Sequence, residues 1–275
     1  MLNIVTLGTL SVAVGFLGSL TGLGGASILV PILVLFGIPV KEAIACGMVA
    51  IIATSSGSAA SYVRERIANV RIAMFLEMFT IVGAIVGATI TTIISPVFLY
   101  FFFAAFLLTS FLRLRGSLSE FHPATKQDRV SRWLKLEGSY YDVAAGNDVD
   151  YRVTNALPGG VGMFVAGVAA GMLGIGAGAF KVTVHEAILH MPTKVSSTTS
   201  NFIIGMTALG GASVYFFSGL LNLTLMAPMA VGATIGAIIG ARVLNRLSTR
   251  TLRILFFLII TYLIIQMVYK GVTAI

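Results

Sequence analysis

Between Gly171 and Asn201 the chain reads GMLGIGAGAFKVTVHEAILHMPTKVSSTTSN, and its polar residues are few and grouped. Lys181 lies three residues past Gly178 inside an apolar run; His185, Glu186 and His190 follow, and then Thr198, Thr199, Ser200 and Asn201. A cation in apolar surroundings is costly unless it is paired or meets water. Lys181 therefore has two readings: a functional anion ligand, or a side chain that reaches back to the interface or pairs with Glu186. Two features favour the anion. Glycines at 174, 176 and 178 interrupt a helix, and the segment that restarts after them turns its free amides and the positive end of its dipole toward the break. The hydroxyls of Thr198, Thr199 and Ser200 and the amide of Asn201 can replace part of an anion's hydration shell without adding a competing negative charge. Each hydroxyl has the alternative of bonding back to its own helix. His185, Glu186 and His190 do not make a zinc helix, because the second histidine stands at i+5 rather than i+4. They read as gating or interfacial groups, and no metal is expected. Glu77, in the middle of an apolar run, is either a proton carrier that couples transport or the counter-charge of a buried cation. Thr54, Ser55, Ser56 and Ser58 form a second hydroxyl cluster.

These residues sit in a duplicated frame. Gly18 to Met48, GSLTGLGGASILVPILVLFGIPVKEAIACGM, aligns with the first stretch at a constant spacing of 153. Gly18 pairs with Gly171, Gly25 with Gly178, Pro39 with Pro192, Lys41 with Lys194, Thr54 with Thr207, Asn69 with Asn222, Gly83 with Gly236 and Gly87 with Gly240. Ungapped matches of this kind are an internal repeat. The expected substrate site therefore draws Gly24 and Gly25 from the first break, and Gly176, Gly178, Lys181, Thr198, Thr199 and Asn201 from the second half. Glu77, His185 and Glu186 are expected to couple or gate. The Lys181 position is Ile28 in the first half, and the Glu77 position is Ala230 in the second.

The elements that hold these groups follow from composition. The 275 residues are 57% hydrophobic and 10% charged, with mean hydropathy +0.98, whereas soluble domains carry about 25% charged residues. The fold class is all-α integral membrane. Ten hydrophobic segments are expected at 2–20, 23–38, 43–63, 70–93, 96–112, 157–173, 175–191, 195–217, 223–244 and 252–269. The second and seventh are short and follow glycine-rich breaks, so each reads as a broken helix or the return arm of a hairpin. The chain divides into a first transmembrane repeat (1–112), a polar cytoplasmic insert (113–156) and a second transmembrane repeat (157–275).

The net charge of +8 does not indicate nucleic acid, because the cations flank apolar segments. Counting spans places 15 of the 18 cations on one side, taken as cytoplasmic. On that count the basic turn at Arg64 to Arg71 is cytoplasmic, while its uncharged partner at Phe217 to Thr224 is outside. The halves are then inverted, as in secondary transporters. A duplicated channel is the alternative. Cys46 alone excludes a disulfide within the chain or a thiolate cluster, and reads as an inert buried thiol. Met-Leu-Asn places no basic residue before the first apolar run, so that segment is expected to be retained. No nucleophile triad, phosphate loop or nucleotide motif occurs, so neither enzyme activity nor a cofactor is expected. Gly83xxxGly87 and Gly236xxxGly240 suit close helix packing, within one protomer or across a homodimer.

GLGGASILVP (Gly22 to Pro31), with the Ala/Gly/Ser-rich segment after it, and GIGAGAFKV with PTKVSSTTSNFIIG (Gly174 to Gly205) resemble the sulfite exporter TauE/SafE family of membrane permeases. The resemblance covers both halves, and DRVSRWLKLEGSYYD (Asp128 to Asp142) is similar to a stretch found in some prokaryotic members. It implies export of a small sulfur-containing anion, such as sulfite, sulfoacetate or another organosulfonate, across the cytoplasmic membrane. A carrier of the same fold that imports a different small anion, or an anion channel, stands as the alternative. The sequence departs from the family pattern at Ala177, where a third glycine is usual, at Thr183, where proline is usual, and at His185 and Glu186, where the run is apolar.

Overall fold

The structure, a computed structural model, describes residues 4–21, 25–64, 69–116, 127–142, 147–244 and 249–274. The first half consists of α1 (Ile4–Thr21), α2 (Ala26–Leu35), α3 (Val40–Arg64), α4 (Val70–Ile93) and α5 (Pro96–Gly116). The connecting segment forms α6 (Arg129–Trp133) and an antiparallel hairpin of β1 (Glu137–Asp142) and β2 (Asn147–Arg152). The second half consists of α7 (Ala156–Leu173), α8 (Gly178–Ala187), α9 (Thr193–Phe217), α10 (Leu223–Leu244) and α11 (Thr249–Thr273). All ten expected segments are helices. Among the described residues, stretches of α3, α4, α7, α9 and α10 are long and apolar enough to cross a membrane. The protein is an all-α integral membrane protein whose polar insert adds one hairpin that the sequence reading did not include.

The repeat carries through to element boundaries. Shifted by the sequence spacing, α3 falls on α9, and the first residues of α4 and α5 fall on the first residues of α10 and α11. Packing follows the same exchange: α1 lies along α10 while α7 lies along α4, and α4 meets α9 while α10 meets α3. The helices α3 and α9 also pack on each other, as do α5 and α11. Each half is thus completed by the other.

Glycines make the two long contacts close. A Cβ at Gly87 would lie 2.1 Å from the carbonyl oxygen of Val168, and one at Gly171 would lie 2.2 Å from that of Ala84. In the other crossing, a Cβ at Gly236 would lie 2.0 Å from the carbonyl oxygen of Val12. Without side chains the backbones touch, and dispersion replaces a hydrophobic drive that lipid does not supply. The GxxxG pairs are therefore packing surfaces within the protomer.

The hairpin is seated on the helices. Tyr140 and Tyr151 are buried with Leu136 and Val153 among Ile72 and Leu76 of α4, Met163 of α7, Val184 of α8 and Val195 of α9. Alternation decides which tyrosines go in: Tyr140 faces the helices and is buried, whereas its neighbour Tyr141 is 58% exposed.

Candidate functional site

After α7 the backbone turns through Gly174, Gly176 and Ala177, with φ of +64°, +70° and +50°. At Gly174 a Cβ would stand 2.3 Å from the Ile44 carbonyl oxygen, so only glycine lets this break rest on α3. Ala177 takes the left-handed conformation at a strain of about 1–2 kcal/mol, which gives a physical reason for glycine there in the family pattern. No side chain caps α8. Its first intrahelical bond runs from the Lys181 amide to the Ala177 carbonyl, so the amides of residues 178–180 are left at the break.

Lys181 stands one turn into α8 and is fully buried, so its head does not reach the surface. Its Nζ donates to Thr207 Oγ1 of α9 at 2.6 Å. That hydroxyl lies 3.1 Å and 3.4 Å from the two carboxylate oxygens of Glu77 on α4, and 3.0 Å from the Ile203 carbonyl oxygen. A hydroxyl has one proton, so while it accepts from Lys181 it can serve either the carboxylate or the carbonyl. Thr80 donates to the backbone carbonyl of Glu77 at 3.1 Å. A cation from α8 and a carboxylate from α4 are therefore joined across one hydroxyl from α9. Either charge alone at this depth would carry a desolvation penalty of several kcal/mol; together they are neutral.

The remaining sequence candidates are distributed around this cluster. Gly178 opens α8, and its carbonyl oxygen accepts the Ser200 hydroxyl at 3.4 Å. Gly176 packs against Ile204, where a Cβ would come within 2.8 Å of the side chain. Asn201 is half-buried, and its backbone carbonyl oxygen accepts from the Ser55 hydroxyl of α3 at 2.8 Å. The Thr198 hydroxyl bonds back to Val195, as a helix-bound hydroxyl does. His185 is buried one turn beyond Lys181, with Nδ1 3.2 Å from the Ser196 carbonyl oxygen. Glu186 lies on the half-buried side of α8. Among the described residues, no group of three His, Cys, Asp or Glu could hold a metal. Gly24 lies outside the described residues. Gly25 adjoins α2, and its missing side chain accommodates α1, since a Cβ would stand 2.9 Å from the Val14 carbonyl oxygen.

Thr199 has a structural partner rather than an open hydroxyl: its Oγ1 accepts from the Asn69 amide at 3.4 Å. At the repeat spacing its equivalent is Cys46, whose thiol is hydrogen-bonded by the backbone of Asn222, the equivalent of Asn69. The same joint therefore holds the α3–α4 turn in one half and the α9–α10 turn in the other. Only the first turn is covered by the insert, through the Asn69 amide group, which donates to the Tyr151 hydroxyl at 2.9 Å and the Glu137 carbonyl at 3.2 Å.

Thr207 was not among the sequence candidates. Its signal was its match with Thr54 in the repeat, but Thr54 donates to the Ile51 carbonyl oxygen of its own helix, and the equivalents of Lys181 and Glu77 are Ile28 and Ala230. The charged cluster belongs to one site and is not duplicated.

The sulfite exporter TauE/SafE family model matches residues 7–267. The chain is 24% identical to the probable membrane transporter protein YunE of Bacillus subtilis over 98% of this chain and 99% of that one. It is 26% identical to the probable membrane transporter protein YdhB of the same organism over 94% and 96% of the two chains. No solved structure matches. With its helices long enough to span a bilayer and a family match across both halves, the chain belongs to the sulfite exporter TauE/SafE family and is a multi-pass membrane transporter.

Proposed function

We propose that the protein is a secondary transporter that exports a small sulfur-containing anion, such as sulfite, sulfoacetate or another organosulfonate, across the cytoplasmic membrane. In this reading the halves are inverted, the insert is cytoplasmic, and the site alternates in access between the two sides. The exchange of equivalent helices between the halves supports the inversion, and the gathering of Lys and Arg at one set of helix ends supports the orientation. The observation that carries the function is the buried Lys181–Thr207–Glu77 cluster behind the uncapped start of α8.

Electrostatics then specifies how the anion is carried. The resting cluster is neutral, and an anion entering alone would leave one unmatched negative charge in a low-dielectric site. If a proton from water joins Glu77 as the anion arrives, Lys181 transfers its counter-charge role from the carboxylate to the substrate. The neutral loaded cluster is the one that crosses. Lys181 is the charged group joined to Glu77, through the Thr207 hydroxyl.

The test is binding of sulfite, sulfoacetate, taurine and thiosulfate to purified protein, with proton uptake recorded in weakly buffered detergent. One anion should bind with net proton uptake. Lys181→Met should weaken binding by about 1–3 kcal/mol, the range for a hydrogen bond to a charged group. Glu77→Gln should abolish the proton uptake and retain exchange of anion for anion. An unchanged dissociation constant in Lys181→Met removes the lysine from the site.

A further inference from the structure

The insert carries a charged and aromatic face that the transport reading does not use. Asp128 caps α6, accepting from the Ser131 amide at 3.3 Å and from the Ser131 hydroxyl, so the one acid between residues 127 and 136 is turned toward its own helix. Within the same stretch Arg129, Arg132, Trp133 and Lys135 are exposed. Trp133 is 80% exposed and is the single tryptophan of the chain.

Placement gives this face a meaning. The Arg71 guanidinium donates to the Lys135 carbonyl oxygen at 3.4 Å, which ties the end of α6 to the first turn of α4. From Arg71 the outward residues of α4 continue at helical spacing as Met74, Met78 and Val82, which are 59%, 70% and 53% exposed. An apolar stripe of this kind on a transmembrane helix faces lipid. α6 also packs on α7, whose outward residues are Leu157, Val161 and Val165. The basic face therefore stands at the head of two lipid-facing stripes, where hydrocarbon gives way to headgroups. Glu137, exposed at the start of β1, is engaged by Arg152 at 3.9 Å.

We infer that Arg71, Arg129, Arg132, Trp133 and Lys135 form a binding site for the headgroup of an anionic phospholipid. Guanidinium groups match phosphate oxygens in a planar fork, and an indole prefers the boundary between hydrocarbon and water. Charge complementarity selects the lipid: four cations, with neighbouring Asp128 turned to its own helix and Glu137 engaged by Arg152, favour phosphatidylglycerol over a zwitterionic headgroup.

The single tryptophan makes the site directly readable. Wild-type protein in nanodiscs of phosphatidylcholine and phosphatidylglycerol is measured by Trp133 fluorescence, with brominated acyl chains placed on one lipid or the other at equal mole fraction. Brominated phosphatidylglycerol should quench several-fold more strongly than brominated phosphatidylcholine. Arg132→Gln and Lys135→Gln should each reduce the preference for phosphatidylglycerol about fivefold, and added salt should reduce it in wild type. Equal quenching by the two lipids, or quenching by neither, overturns the assignment. Because the wild-type arms alone decide the outcome, a variant that fails to fold does not blur it.

Discussion

Thr207 holds together two charges that come from separate helices, and its methyl and hydroxyl can be tested separately. Thr207→Val keeps the shape and removes the bridge, leaving Lys181 and Glu77 with unmade hydrogen bonds in a dry site. Thermal unfolding in detergent should report a loss of about 1–3 kcal/mol. Thr207→Ser keeps the hydroxyl and should retain most of that stability, losing only the smaller contribution of one buried methyl. A valine variant as stable as wild type would mean that the ammonium and carboxylate are satisfied in another way. The sequence made both charges visible, because an ionisable residue in an apolar run stands out by type alone. It did not reveal their connection. Thr207 is separated from Glu77 by 130 residues and from Lys181 by 26, and a threonine in a helix is unremarkable until the fold brings it between two charges.

Helices in this protein meet through absent side chains as much as present ones. Gly87→Ala would press a methyl into the Val168 carbonyl at 2.1 Å. Separating α4 from α7 to relieve it should cost about 1–3 kcal/mol or more. Gly8→Ala on α1 meets nothing within 4 Å and should be neutral or stabilising by a few tenths to about 1 kcal/mol. Unfolding midpoints of the two variants distinguish a specific seam from a general preference for small residues. The GxxxG spacing made these surfaces legible in advance, and the apolar runs located the helices, although both ends of α2, α8 and α11 differ from the expected ones by three or more residues. The hairpin was not legible, because its strands are short and polar, EGSYYD and NDVDYR, and acquire a buried face only by resting on helices distant in sequence.

The cap of α6 offers an element-scale test by pH. Burial pushes the Asp128 carboxyl upward, but the hydrogen bonds from the Ser131 hydroxyl and amide outweigh it and hold the group below its ordinary 3.8. A carboxylate so depressed stabilises the folded insert fully above 3.8, and that contribution is lost as pH falls through the lower folded value. Asp128→Ala should loosen the insert at neutral pH by about 0.5–2 kcal/mol. It should also flatten the acid-side decline, read by protease cleavage within the insert.

At the scale of the whole molecule, transport needs relative motion, and the close contacts restrict where it can occur. The pairs α1 with α10 and α4 with α7 are locked backbone to backbone, so each pair is expected to move as a unit. The joints at Asn69 with Thr199 and at Asn222 with Cys46 lie at equivalent positions, outside those two locked seams. Among the described residues, the insert fastens the first of them, where the Asn69 side-chain amide donates to the Tyr151 hydroxyl.

The exchange of α1 for α7 between the halves also sets a problem for biosynthesis. α1 is complete at Thr21, yet the helix that covers it begins only at Leu223, about 200 residues later. At 5–20 residues per second, the ribosome takes roughly 10–40 s to supply that partner. Throughout that interval the face of α1 that bears Gly15 and the buried, unbonded Ser11 hydroxyl lies against lipid or an insertion factor. Residues 1–126 expressed alone should accordingly be cleared by membrane proteases, and co-expression of residues 127–275 as a separate chain should restore their steady-state level on an immunoblot. Survival of the first fragment by itself would mean that nascent α1 finds a substitute partner within its own half.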